Sequence, residues 1–168
     1  SKGELVGLIG PNGAGKTTVF QLLSGFVKPT SGRVIYEGED ITGLSPDKIA
    51  RKGLVRTFQL NRMFTGFSVL ESLAVASYLH AGIGLWRSVF RTPGYRSRNA
   101  RVWERAEEIL ETMGLEEKRY ELARNLSYGH QKLLGIGIAL AAAPRLLMLD
   151  EPLAGMSAFE VRQTLKIV

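Results

Sequence analysis

The chain has 168 residues, a formal net charge of +6 and no cysteine. This length suits one domain with a substantial core, and the lack of cysteine excludes disulfides and thiolate metal sites. The longest apolar run, residues 133–143, is too short to span a bilayer. A positive excess can indicate nucleic acid or an anionic membrane nearby. Because the basic residues do not form one block, an ordinary solvated surface is the favoured interpretation.

A glycine-rich loop follows the first predicted strand. Residues 4–9 are predicted to form a buried strand, and we expect no signal peptide before it. Residues 10–18 read GPNGAGKTT and lead into a helix predicted over residues 15–24. Backbone N–H groups of such a loop form a cradle for phosphates, and glycines leave room for their approach. The residues expected to bind nucleotide are Asn12, Gly13, Ala14, Gly15, Lys16, Thr17 and Thr18.

Two of these residues have individual roles in this interpretation. The Lys16 ammonium would reach the β- and γ-phosphates, and the Thr17 hydroxyl would ligate Mg²⁺. The alternative is a glycine-rich turn that precedes a lysine by chance. The apolar run before the loop and the helical pattern after it both favour the phosphate-binding site.

Short elements follow the first helix. We predict a strand over residues 33–36, a turn over residues 37–40, and a helix that begins after Ser45 and ends near Gly53. Residues 54–58 are predicted to form another strand, and Gln59 stands at its end. A side-chain amide there can touch Mg²⁺ or water, but an ordinary surface glutamine fits the local sequence equally well.

The pattern becomes helical from residue 60 to residue 126. Ser68 and Glu71 form a predicted capping box that opens a helix ending near His80. Residues 82–98 look irregular, and residues 99–113 form an amphipathic helix ended by Gly114. The apolar face of that helix consists of Val102, Ala106, Ile109, Leu110 and Met113. We therefore predict an all-helical insert in an α/β core.

Acidic residues end the next predicted strand. Ser127 caps a helix over residues 128–143, and residues 146–149 form an apolar strand that delivers Asp150 and Glu151 at its carboxyl end. Ligands of open α/β sheets bind at that edge. With a phosphate loop in the chain, Asp150 is expected to hold Mg²⁺, and Glu151 to orient or deprotonate an attacking water. A second capping box, at residues 157–160, opens the last helix.

Ser127 and Gly129 form a second candidate anion site. They stand at a helix N-terminus, where free N–H groups and the helix dipole favour negative charge. An ordinary N-cap is the alternative interpretation. A nucleotide shared between two copies would be a reason for a second phosphate site.

The order of these motifs resembles the ATP-binding cassette (ABC) ATPases, the nucleotide-binding subunits of ABC transporters. Residues 10–18 look like Walker A, Gln59 like the Q-loop glutamine, residues 126–131 like the signature motif, and residues 146–151 like Walker B. The resemblance implies an α/β fold of the P-loop NTPase (RecA-like) type, with a parallel sheet and an inserted helical subdomain. It implies a single, incomplete ABC ATPase domain, with its core at 1–60 and 127–168 and its helical subdomain at 61–126.

Further residues resemble those of the ATPase subunits of branched-chain amino-acid importers. Such an importer has two ATPase subunits, and the resemblance is to the first of them. They are the run 56–59, Met63 with Phe64, the run 68–73, the basic stretch 90–96 and Tyr128. Importers of urea, amides or other amino acids use near relatives. A soluble ABC ATPase acting on nucleic acid is an alternative that the net charge favours weakly. A small P-loop kinase or GTPase is disfavoured by the signature motif.

The resemblance also implies a mechanism. Two ATPase subunits, identical or different, would close head to tail on ATP, which would lie between one Walker A and the opposite Ser127 and Gly129. Glu151 and Gln59 would be catalytic, and Thr17, Gln59 and Asp150 would hold Mg²⁺. The implied partners are transmembrane permease subunits and, indirectly, a substrate-binding protein, with no nucleic acid. The implied location is peripheral, at the cytoplasmic face of the plasma membrane.

The chain also departs from the family pattern. His130 replaces the usual signature glutamine, and Ser157 stands where Asp or Asn is usual. The family's adenine-stacking aromatic before Walker A and its switch histidine after Walker B have no counterpart in these 168 residues. The resemblance therefore implies a longer subunit, and we expect this piece alone to hydrolyse ATP weakly.

Overall fold

The computed structural model describes residues 3–57, 66–80 and 93–167, which group into two units, Ser1–Lys52 and Gly53–Val168. These units differ from the predicted division of the chain. That division, into a core at 1–60 and 127–168 and a helical subdomain at 61–126, stays a prediction. Each unit is described separately below.

The first unit contains two short helices and a hairpin. Helix α1 covers Lys16–Leu23, strands β1 and β2 cover Ile35–Tyr36 and Glu39–Asp40, and helix α2 covers Pro46–Arg51. The two strands pair antiparallel. Their two-residue turn has positive φ at both positions, as a type I′ hairpin turn requires. The prediction that all of residues 37–40 form a turn is therefore wrong, because Glu39–Asp40 belongs to the hairpin ladder.

The predicted buried strand over residues 4–9 is not formed in this structure. Leu5 is 78% exposed and Ile9 is 94% exposed. The two sheets of the described residues contain two strands each, and neither includes this segment. A strand needs a neighbour to pair its backbone N–H and C=O groups. The apolar pattern alone does not supply that neighbour.

The second unit combines a parallel strand pair with helices. Strand β3, Leu54–Arg56, pairs in parallel with strand β4, Leu146–Met148. The elements between them include α3 (Val69–His80), α4 (Pro93–Met113) and α5 (Tyr128–Ala141), and α6 (Ala158–Ile167) follows β4. The predicted parallel arrangement is confirmed for this pair. Within β4, the strand predicted over residues 146–149, Met148 is buried and Leu146 is exposed.

Helices α3, α4 and α5 enclose the core of the second unit. The predicted apolar face of α4 is confirmed, because all five of its side chains are buried there. Gly137 of α5 lets the helices approach closely: a Cβ at this position would lie 3.0 Å from Leu73 Cδ2 and 3.2 Å from Met113 Cγ. The glycine that weakens the helix in isolation thus permits its packing.

The boundaries of these helices follow their capping residues. The predicted capping box of α3 is confirmed, since Ser68 N donates to Glu71 Oε2 at 2.8 Å. Helix α4 begins at Pro93, six residues before the predicted start at residue 99. Proline suits the first helical position because it has no N–H to leave unpaired.

Within the described ranges, no helix is both long and apolar enough to cross a membrane.

Candidate functional site

The glycine-rich loop turns sharply into α1. Gly13 and Gly15 have φ of 83° and 84°, values that residues with a Cβ rarely adopt. A Cβ at either position would have no heavy atom within 4 Å, so this side of the loop is open. The predicted helix over residues 15–24 is confirmed as α1, with Gly15 at its N-cap.

Lys16 lies over its own loop. Its ammonium donates to Gly10 O at 2.6 Å and to Pro11 O at 2.8 Å. Both acceptors are neutral carbonyls, so a phosphate oxygen would be a stronger partner for this cation. The first turn of α1 contains no acidic residue, and the N–H groups of its first three residues, 16–18, lack helical acceptors. This end of the first unit can therefore attract a polyphosphate.

Asp150 and Glu151 follow β4 after one intervening residue, Leu149, in the order that the sequence predicts. Arg56, the last residue of β3, donates from Nη2 to Asp150 Oδ2 at 2.6 Å. Glu151 is exposed and has a φ of 46°, in the left-handed region. One carboxylate is thus held by an ion pair at the carboxyl edge of the strand pair, and the other stands on the turn after it.

Divalent cations suit two of the predicted ligands. The Thr17 hydroxyl and the Asp150 carboxylate are hard oxygen donors of the kind that Mg²⁺ accepts alongside phosphate oxygens and water. Within the described ranges, no group of three or more His, Asp or Glu side chains could hold a metal ion. Gln59, the third predicted ligand, lies outside the described residues.

The start of α5 already faces a negative group. Ser127 caps the helix by accepting from His130 N at 3.3 Å. The Glu160 carboxylate lies against Gly129, where a Cβ would overlap it, and it accepts from Ser127 Oγ at 3.5 Å. The pKa of Glu160 is lowered, first by the Ser157 N–H and hydroxyl and further by His130 and Ser127. An internal carboxylate thus occupies the face that the sequence predicts for an anion.

The predicted site residues fall into separate groups. The loop residues 12–18 belong to the first unit, whereas Ser127, Gly129, Asp150 and Glu151 belong to the second. Within the second unit, Lys132 of α5 donates to the backbone of Glu151, so the start of α5 contacts the turn that carries this carboxylate.

Three residues around these groups were not predicted as site residues. They are Arg56, Lys132 and Glu160. Lys132 could have been identified from its spacing, since it stands four residues after Tyr128 and shares its helix face. Arg56 reaches Asp150, and Glu160 reaches Ser127 and Gly129, across long stretches of chain, and no sequence spacing indicates these contacts.

Comparisons with known proteins place the sequence among related chains. The sequence pattern of the family described as ABC transporter matches residues 1–154. The high-affinity branched-chain amino acid transport ATP-binding protein LivG of Escherichia coli K12 is 44% identical over 95% of the chain and 63% of its own length. The corresponding protein BraF of Pseudomonas aeruginosa is 45% identical over 94% of the chain and 62% of its own length.

Solved structures show the same relationship. The ATP-binding cassette MJ1267 of an ABC transporter matches with a TM-score of 0.76 and 33% identity, over 95% of this chain and 64% of that one. The fold is therefore that of the ABC ATPase cassettes, with a P-loop. The chain spans less than two thirds of the length of these relatives. By its sequence pattern and its fold, this chain belongs to the ABC transporter family.

Proposed function

We propose that the full-length protein binds and hydrolyses ATP to power an ABC importer of branched-chain amino acids. The glycine-rich loop, open above Gly13 and Gly15 and continuous with the first turn of α1, is the observation that carries nucleotide binding. The transport role is supported by the names of relatives that are 44% and 45% identical over nearly the whole chain.

Each predicted residue has a role in this proposal. The backbone N–H groups of residues 12–18 and the Lys16 ammonium bind the phosphates. Thr17, Gln59 and Asp150 would hold Mg²⁺, which would neutralise phosphate charge. Glu151, with Gln59, accepts a proton from the attacking water or orients it. The exposed position of Glu151 on the turn after β4 supports this role.

A second ATPase subunit, identical or different, completes the proposed assembly. Ser127 and Gly129 would meet the phosphates of the nucleotide held by that subunit, and Glu160 would then have to leave Gly129. The carboxylate already held at this helix start supports its preference for anions. We further propose permease subunits as partners and a peripheral position at the cytoplasmic face of the plasma membrane.

The test replaces Glu151 by Gln in the full-length protein, in cells whose own copy of the gene is deleted. Uptake of labelled leucine at low concentration is measured together with the ATPase activity of the purified protein. The proposal predicts that both fall by about 10²-fold or more, because Gln cannot accept the proton. Glu117→Gln, at an exposed position in the same unit, is the control and leaves both unchanged.

The other outcomes separate the parts of the proposal. Normal ATPase activity in Glu151→Gln would show that Glu151 is not the base. Lost ATPase activity with normal leucine uptake would show that the cassette powers a different process, such as import of urea, an amide or another amino acid. Salt-sensitive binding of DNA or RNA by the purified protein would instead favour a role on nucleic acid.

A further inference from the structure

The turn after Asp150 is held by a lysine from a different element. Lys132 of α5 donates from Nζ to Glu151 O at 2.9 Å and to Ala154 O at 2.6 Å. These two carbonyls bracket the turn, in which Ala154 N also donates to Glu151 O at 3.3 Å. One ammonium group therefore ties both ends of the segment 151–154 to the first turns of α5.

The backbone held in this way is strained at Glu151. Its φ of 46° lies in the left-handed region, which residues with a Cβ rarely adopt. Such a conformation persists only where neighbouring groups hold it. The hydrogen bond from Lys132 to the carbonyl of this same residue is an interaction that can do so.

The aromatic ring of Tyr128 completes the contact. Lys132 Nζ lies 5.2 Å from the centre of this ring, a cation–π distance. A Cβ at Gly155 would lie 2.9 Å from Tyr128 Cε1, so this glycine lets the turn approach the ring. Gly155 also has a φ of 74°, so a side chain would be unfavourable for two reasons. The first turns of α5 and the segment 151–155 thus pack as one structure.

We propose that Lys132 is a positioning residue that sets the direction of the Glu151 side chain through the main chain. This role rests on the proposed catalytic function of Glu151. It also connects the start of α5, the proposed anion site for a second nucleotide, to the proposed base. A movement of α5 would reach Glu151 through this ammonium group.

The test replaces Lys132 by Met, which keeps much of the side-chain length and removes the ammonium. In the full-length protein, kcat for ATP hydrolysis falls roughly 10- to 100-fold, because a displacement near 1 Å can cost about that much. The dissociation constant for ATP stays within about twofold, since the Lys132 bonds go to residues outside the phosphate loop. Hydrogen exchange of the amides in 151–156 becomes faster. Lys132→Arg, whose guanidinium can donate to both carbonyls, recovers most of kcat.

The matched control is Lys118→Met, which removes an ammonium that bonds Glu121 at 3.0 Å in the same unit. It changes neither kcat nor exchange in 151–156. In a Glu151→Gln background, Lys132→Met lowers kcat no further, because its effect passes through Glu151. The proposal would be overturned if Lys132→Met left kcat unchanged, left hydrogen exchange in 151–156 unchanged, or reduced only the affinity for ATP. It would also be overturned if Lys132→Arg did not recover kcat.

The two proposals fail in different ways. If Glu151→Gln keeps normal hydrolysis, the proposed function is wrong at Glu151 and the positioning role is wrong with it. If Glu151→Gln abolishes hydrolysis while Lys132→Met does not reduce it, only the positioning role is overturned.

Discussion

Arg56 and Asp150 form a 2.6 Å ion pair at the carboxyl end of the parallel strands. In the register of β3 and β4, Arg56 lies opposite Met148, two residues before Asp150. The Arg56 side chain is 11% exposed and that of Asp150 is 29% exposed. The ion pair thus joins the strand that precedes Gln59 in sequence to the strand that precedes Glu151.

Removing the arginine should destabilise the protein. In Arg56→Met, the free energy of unfolding is expected to fall by about 1–2 kcal/mol, because the half-buried Asp150 loses its charge partner and water compensates only in part. Urea unfolding of the full-length protein measures this change. Arg105→Met, which breaks the exposed pair with Glu108, should cost at most about 0.5 kcal/mol.

A double mutant separates the ion pair from the packing of the arginine stem. If the pair matters, Arg56→Met combined with Asp150→Asn costs less than the sum of the single changes. Strict additivity of the two changes would contradict the stabilising role of the pair.

Lys16 should control nucleotide affinity more than stability. Lys16→Met removes a cation whose acceptors, among the residues that the structure describes, are two neutral loop carbonyls at 2.6 and 2.8 Å. A hydrogen bond to a charged group contributes about 1.5–3 kcal/mol, so the dissociation constant for ATP should rise roughly 10- to 100-fold. Fluorescence titration with a labelled ATP analogue measures this. The control Lys28→Met, at an exposed position in the same unit, should bind the ATP analogue with wild-type affinity. Equal affinity of Lys16→Met and Lys28→Met for the analogue would be evidence against the phosphate-loop assignment.

The capping box of α3 should make stability depend on pH. The pKa of Glu71 is lowered from its ordinary value of 4.5, first by the Ser68 N–H and then by the Ser68 hydroxyl. Because the folded-state pKa is the lower one, this stabilisation is present above pH 4.5 and is lost as the pH falls through the folded pKa. Glu71→Gln should therefore be less stable than the wild type at pH 7, with the difference shrinking below pH 4.5.

Urea midpoints at pH 7 and at a pH below 4 test this for Glu71→Gln, and Glu117→Gln serves as the exposed control. A constant difference between Glu71→Gln and the wild type across this pH range would contradict the proposed origin in the Ser68 contacts.

The close packing at Gly137 should tolerate one methyl group and little more. Gly137→Ala gains about 1 kcal/mol of helix propensity, but its Cβ would lie 3.0 Å from Leu73 Cδ2. Because these effects oppose each other, we expect the free energy of unfolding to stay nearly unchanged. Gly137→Leu should destabilise by about 1–3 kcal/mol, because the larger side chain must displace Leu73 and Met113. Thermal or urea unfolding of both variants gives the comparison. If Gly137→Leu were as stable as Gly137→Ala, α3 and α4 would be shown to move apart at little cost in free energy.

Local signals in the sequence predicted most elements of the second unit. Capping boxes and apolar periodicity act over three or four residues, so they located the start of α3, the apolar face of α4 and the start of α5. Pairing is different, because a strand forms only where a neighbour supplies hydrogen bonds. The apolar pattern of segment 4–9 therefore predicted a buried strand, although no described strand pairs with this segment.

The candidate site divides in the same way. The sequence by itself determined the glycine-rich loop before α1, the position of Asp150 and Glu151 after a strand, and the N-cap Ser127, because each depends on neighbouring residues. Only the tertiary structure decided that Arg56 pairs with Asp150, that Lys132 holds the turn at Glu151 and that Glu160 faces Gly129. These contacts join residues 19 to 94 positions apart, and such distances are closed by the packing of whole elements rather than by any local pattern.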